Sequence, residues 1–163
     1  MHYCDALAFF ELEKGKIKNV SLRGARFAVA ARGGSTASLY IDSSLSNEQA
    51  ETVQTIAHWI LSFEQTPIAG IRRARIAINF ATESFEADIS ETPNLLMASP
   101  LIGSDGNPSI VVSHPWIFGA FPVSYAQKGV TTKLRITIGD LNHEYSNTNA
   151  NNGVFEFDAN QVN

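Results

Sequence analysis

Apolar residues recur at every second position along most of the chain and shift once to a three- and four-residue spacing. The pattern therefore predicts strands around a single long helix. The stretch "ALAFFEL" (6–12) is apolar and aromatic on both faces, as a central buried strand would be. Gly15 in "EKGK" supplies a reversal that tolerates positive φ, and "IKNVSL" returns as a more exposed partner. "ARFAVAA" and "ASLYID" follow as two further strands, split by the glycine-bearing turn "RGGST".

The helix is predicted over 46–63. Ser46 followed three residues later by Gln49 is a capping-box pattern, and Glu48 lies in the first turn, where the helix dipole favours negative charge. Ala50, Val53, Ala57, Ile60 and Leu61 fall on one face. Trp59 and Phe63 flank that stripe and widen it. The helix is therefore expected to pack on a sheet on one side and to meet a second layer or another subunit on the other. Pro67 limits its extension.

Beyond the helix, "RIAINF" and "SFEADI" alternate about a short link and predict a hairpin. "SDGNP" is a turn before "SIVVS". "TKLRITIG" sets Leu134, Ile136 and Ile138 against Lys133, Arg135 and Thr137, a half-buried strand. "LNHEYSNTNANNG" reads as a polar, Asn-rich loop and "VFEFD" as a short last strand. With no internal repeat or linker, this order predicts one α+β domain over 1–163. It is a mostly antiparallel sheet, sandwich- or barrel-like, with one main amphipathic helix packed on it.

Composition narrows the function classes. The chain has 163 residues, 44% hydrophobic and 17% charged, enough to bury a full core and too apolar for a disordered segment. A net charge of −4 argues against nucleic acid as a partner. Arg72, Arg73 and Arg75 form the one dense basic group and read as a solvated strand end that restrains edge pairing. No apolar run is long enough for a membrane-spanning helix, no secretory leader is visible, and one cysteine allows no internal disulfide. The cytoplasm is the expected compartment.

Four segments carry a family resemblance: "CDALAFFELEKGKIKNVSLRG", "SLYIDSSLSNEQAETV", "SHPWIFGAFPVSY" and "NNGVFEFD". In this order they resemble the bacterial family called domain of unknown function 1326. The shared features are a cysteine leading into a strand that ends in E-x-G, a Y-I-D strand before an E-Q-x-E helix, a His-Pro turn and a terminal N-G-x-x-x-F segment. Members of that family carry an upstream run of closely spaced cysteines, which implies soft-metal or thiol chemistry because thiolates select zinc and copper(I). This sequence begins at what resembles the last of those cysteines, Cys4.

Candidate chemistry is sparse. Cys4 and His2, two apart on an extended segment, point to the same side and supply two metal ligands, or else form a frayed terminus with a half-buried thiol. In "SHPWIFGAFPVSY", Trp116, Phe118 and Phe121 form either an apolar contact patch or a buried plug at one end of the sheet. His114 there and His143 in the Asn-rich loop complete a zinc or copper set if the fold brings the loops together. The structural alternative for His114 is a hydrogen-bonded histidine, and for His58 a solvated one on the helix flank. Asp42, Asp140 and Asp158 read as turn and strand-end carboxylates. Phosphate-loop, dinucleotide, nucleophile-elbow and H-E-x-x-H motifs are absent.

Three functions follow from these residues. The first is a non-catalytic binding or assembly domain that uses Trp59, Phe63, Trp116, Phe118 and Phe121 as ligand or partner contacts. It forms a homodimer and involves neither nucleic acid nor membrane. The second is a metal- or thiol-related module built on Cys4, His2, His114 and His143. The third is an enzyme on a small apolar substrate beneath the aromatic loop.

Overall fold

The computed structural model describes residues 5–32, 35–62, 65–81, 84–108, 110–112, 116–117, 121–122 and 125–162. The first half contains β1 (Asp5–Leu12), β2 (Lys16–Ile17), β3 (Val20–Ser21), β4 (Ala25–Arg32), β5 (Thr36–Asp42) and α1 (Asn47–Ser62). Next come β6 (Ile68–Ala74), β7 (Ile76–Ala81), β8 (Ser84–Ile89), β9 (Leu95–Pro100), β10 (Ile110–Val112), β11 (Trp116–Ile117) and β12 (Phe121–Pro122). The chain closes with β13 (Tyr125–Ile138), β14 (Leu141–Tyr145), β15 (Asn149–Val154) and a 3₁₀ turn at Ala159–Gln161.

Two sheets and the helix make three layers. The first sheet runs β1-β4-β5-β6, and the second runs β10-β13-β9-β8-β7 with β14 and β15 also paired to β13. In β4, Ala25, Phe27, Val29 and Ala31 face Val53, Ile56, Ala57 and Ile60 of α1 in one buried cluster. Ala28 and Ala30 face the other way, into a cluster with Ile76, Ile89, Leu134, Ile136 and Ile138 of the second sheet. The central strands β4 and β5 are thus buried on both faces, and β1 lies at the edge. This corrects the expectation for 6–12. The aromatic residues of β1 cover the sheet from its rim: Phe10 stacks on its cross-strand partner Phe27 at 4.6 Å and 9°. The partner of β1 is β4 rather than "IKNVSL", which folds on itself as the β2–β3 hairpin.

The expected capping box is present. Ser46 Oγ accepts from Gln49 N–H (3.2 Å), and Gln49 Oε1 accepts from Ser46 N–H (3.0 Å). Asp42 also takes its expected turn role, accepting from Ser44 N–H at 2.8 Å and from the Ser44 hydroxyl at 2.7 Å. The helix returns the chain to β6, which lies parallel to β5, the one parallel pairing among the described residues. After Arg75 the chain changes sheets and enters the expected β7–β8 hairpin. Strands β6 and β9 form where the sequence pattern predicts none, and two further segments depart from expectation. The Asn-rich stretch forms β14 and β15 because the long strand β13 offers it a ladder on one side. "VFEFD" continues past β15 without pairing beyond Val154, and its Phe155 and Phe157 pack against the helix cluster.

Where β13 passes β8 and β9, only glycine fits. A Cβ on Gly129 would stand 2.7 Å from Ser99 O and 2.9 Å from the Phe85 ring. The two sheets are tied by one buried amide. Asn94, 1% exposed, donates from Nδ2 to Tyr40 Oη at 3.1 Å and accepts from Thr137 N–H at 2.7 Å. Asn94→Ala strips both groups of this partner inside the core, so it should destabilise the fold by about 1–3 kcal/mol. Ser46→Ala, which removes the helix cap, should cost about 1 kcal/mol. Urea denaturation of the two variants checks both values.

Candidate functional site

The polar site grows out of β14. A two-residue turn with Gly139 at φ +59° reverses the chain and pairs Ile138 with Leu141. The strand's period of two then puts Leu141, His143 and Tyr145 on one side, opposite Ile138, Ile136 and Leu134. That side faces the first sheet, where Asp5, Leu7 and Phe9 share one face of β1. His143 and Asp5 therefore meet at the rim between the layers.

Tyr145 Oη donates to Asp5 Oδ2 at 2.8 Å, and His143 Nδ1 lies 2.7 Å from the same phenol oxygen. The Asp5 side chain is only 12% exposed, whereas His143 is half exposed. Arg32, the cross-strand partner of Asp5, places Nε 3.4 Å from Oδ1. A phenol has one proton, and here the carboxylate receives it. The hydrogen between His143 and Tyr145 must then come from Nδ1. In the neutral imidazole this leaves Nε2 as the acceptor. On the opposite face of β14, Glu144 accepts from Arg135 at 2.8 and 2.9 Å and lies 3.7 Å from Lys133. The Arg135 hydrogen bonds, with the Lys133 charge second among the favourable influences, hold the Glu144 carboxyl below its usual range. The two faces of β14 thus separate an ion cluster from a hydrogen-bonded chain that ends in an imidazole.

Of the expected metal ligands, only His143 is placed. His2, Cys4 and His114 lie outside the described residues. Among the described residues no group of three or more His, Cys, Asp or Glu is gathered for a metal ion. The Asp5 carboxylate is already engaged by Tyr145 and Arg32. One imidazole falls short of the four ligands of a closed zinc site. The expected apolar contacts divide similarly. Trp59 is half-buried, and its ring lies 5.3 Å from that of Phe157 in the same chain. Trp116 and Phe121 belong to the short β11–β12 pair, while Phe63 and Phe118 lie outside the described residues.

A second surface stands at the end of the larger sheet. β7 (IAINFA) carries no charged residue and no proline, and Phe80 is 56% exposed. Its neighbour in sequence, β6, ends the other sheet with exposed Arg72 and Arg73. Arg73 also donates to the carbonyls of Ser43 and Leu45. Charged side chains on edge strands discourage pairing with other chains. The molecule guards β6 in this way and leaves β7 uncharged.

No family profile, curated protein or solved structure matches the chain. The likeness to domain of unknown function 1326 therefore rests on the quoted segments alone.

Asp5, Tyr145 and Arg32 were missed as site residues because the decisive contact joins positions 140 apart in the chain. The legible signal was the Leu-His-Tyr alternation of 141–145. Replacing Tyr145 with Phe should release the His143 tautomer. Nitrogen-15 NMR of the imidazole should show the Nδ1–H form dominant in the native protein and the ordinary mixture in the variant. An unchanged spectrum would show that Tyr145 does not set the proton's position.

Proposed function

We propose that this domain works by association rather than catalysis, as a homodimer joined through β7. The observation that carries this reading is the contrast between the sheet edges: arginines line β6, while β7 presents an uncharged edge with an exposed phenylalanine. An edge strand of Ile, Asn, Phe and Ala is a ready template for another strand. Phe80 is 56% exposed, so covering the rest of one side chain is worth roughly 1–1.5 kcal/mol, and a two-fold arrangement covers two.

This moves the expected contact surface. From the sequence, the homodimer is expected at the helix flank, where Trp59 and Phe63 would otherwise leave apolar area exposed. Phe157 supports Trp59 from within the chain, so the flank no longer requires a partner for that residue. The metal- or thiol-based reading rests on Cys4, His2 and His114 together with His143, and the described donors alone do not complete it. Reading the domain as an enzyme on a small apolar substrate depends on the aromatic loop, most of which lies outside the described residues.

A strand pair buries less area than a standard interface, so the dimer should dissociate in the micromolar range. Light scattering across that range should show a mass rising from 17.8 kDa towards twice that value. Phe80→Lys should hold the chain at the monomer mass with an unchanged circular dichroism spectrum. A native protein that stays monomeric at the highest concentration would overturn the proposal.

A further inference from the structure

We infer that β7 pairs with β7 of a second copy in one register, antiparallel, with Asn79 on the two-fold axis and Ile78 opposite the partner's Phe80. This rests on the reading of β7 as the dimer edge.

The register follows from which backbone groups β7 turns outward. Across the β7–β8 ladder, Ile76 lies opposite Ile89. Ile89 gives its N–H to Asn94 O and its carbonyl to Thr92 N–H, both away from β7. Ile76 and Ile89 are therefore a non-hydrogen-bonded pair, so the backbone groups of Ile76 also point away from β8. Two further bonds agree. Ile76 N–H donates outward to Asp42 Oδ2 at 3.4 Å, and the preceding residue, Arg75, accepts from Ser90 N–H at 2.9 Å. Hydrogen-bonded and non-bonded positions alternate along an antiparallel ladder. Ile78 and Phe80 therefore face outward like Ile76, while Ala77 and Asn79 bond to β8.

Outward groups must meet outward groups. Placing Ile78 opposite the partner's Phe80, and Phe80 opposite the partner's Ile78, pairs the N–H and C=O of all four residues. It also leaves the bond between Ile76 and Asp42 intact. Shifting the axis to Ile78 would instead set Phe80 against Ile76, whose N–H is already taken. The side chains favour the same choice. It makes two aromatic–β-branched pairs on the face that packs against the core, and such pairs stabilise sheets. On the other face it sets the two Asn79 amides side by side, where each can donate to the other. No charge opposes a like charge.

At the axis, Asn79 becomes a non-hydrogen-bonded pair, with Cα atoms roughly 4.5 Å apart and within disulfide reach. Ile78 lies diagonally across from the partner's Ile78, beyond that reach. The test uses the full chain with Cys4→Ser, adding either Asn79→Cys or Ile78→Cys, under mild oxidation. Light scattering of the reduced proteins runs in parallel. Asn79→Cys should give a disulfide-linked dimer on a non-reducing gel, and Ile78→Cys should give none. Crosslinking through Ile78→Cys but not Asn79→Cys, in proteins that still dimerise, would overturn the register and leave the β7 dimer standing. Monomers throughout, with no crosslink from either variant, would overturn both.

Discussion

The fold depends on a central pair of strands, β4 and β5, that must be covered on both faces. In β4, Phe27 and Val29 are buried on one face, and Ala28 and Ala30 on the other. Water is excluded from both, so a single sheet is not a stable solution and each face needs its own layer. The amphipathic helix supplies one cover and the second sheet the other. The small alanines on the second face let the sheets approach, and the bulk comes from Ile76, Ile89 and Ile136 opposite. Asn94 adds a specific tie in this apolar setting. Its amide has one hydrogen-bond partner in each sheet, which fixes how the layers sit.

Connecting those layers creates the functional asymmetry. The chain leaves the first sheet as β6 and enters the second as β7 within one residue, Arg75. Both strands end their sheets, so both carry backbone groups with no ladder on one side. The sequence answers this liability differently on either side of Arg75, with arginine in β6 and with isoleucine, asparagine and phenylalanine in β7. The proposed association would use an edge that the fold has to produce in any case.

The His143 centre arises from the same layering. β14 hangs on the far end of β13 and turns its inner face to β1, so an imidazole, a phenol and a carboxylate line up where the sheets part. Their hydrogen bonds link the two sheets at that rim. Glu144, on the other face, is occupied by Arg135 and Lys133 and takes no part.

Local chemistry was legible in the residues. The capping box at Ser46 and Gln49, the Asp42 turn, the β7–β8 hairpin and the alternation of β13 all depend on neighbours within a few positions. Such interactions survive in any fold that contains the element. Features decided by distant partners were not legible. Aromatic content made β1 look central, yet burial on both faces belongs to alanine-rich β4 and its neighbour β5, whose cover comes from residues far along the chain. Asparagine suppressed the strand reading of 141–153, and β13 overrode that preference by offering hydrogen bonds that a loop would lack. The amino-acid sequence by itself determined the helix, most of the strands and the uncharged character of β7. Only the tertiary structure decided that β7 is an edge and that Asp5 meets Tyr145, because strand order and layer contacts depend on which distant surfaces exclude water together.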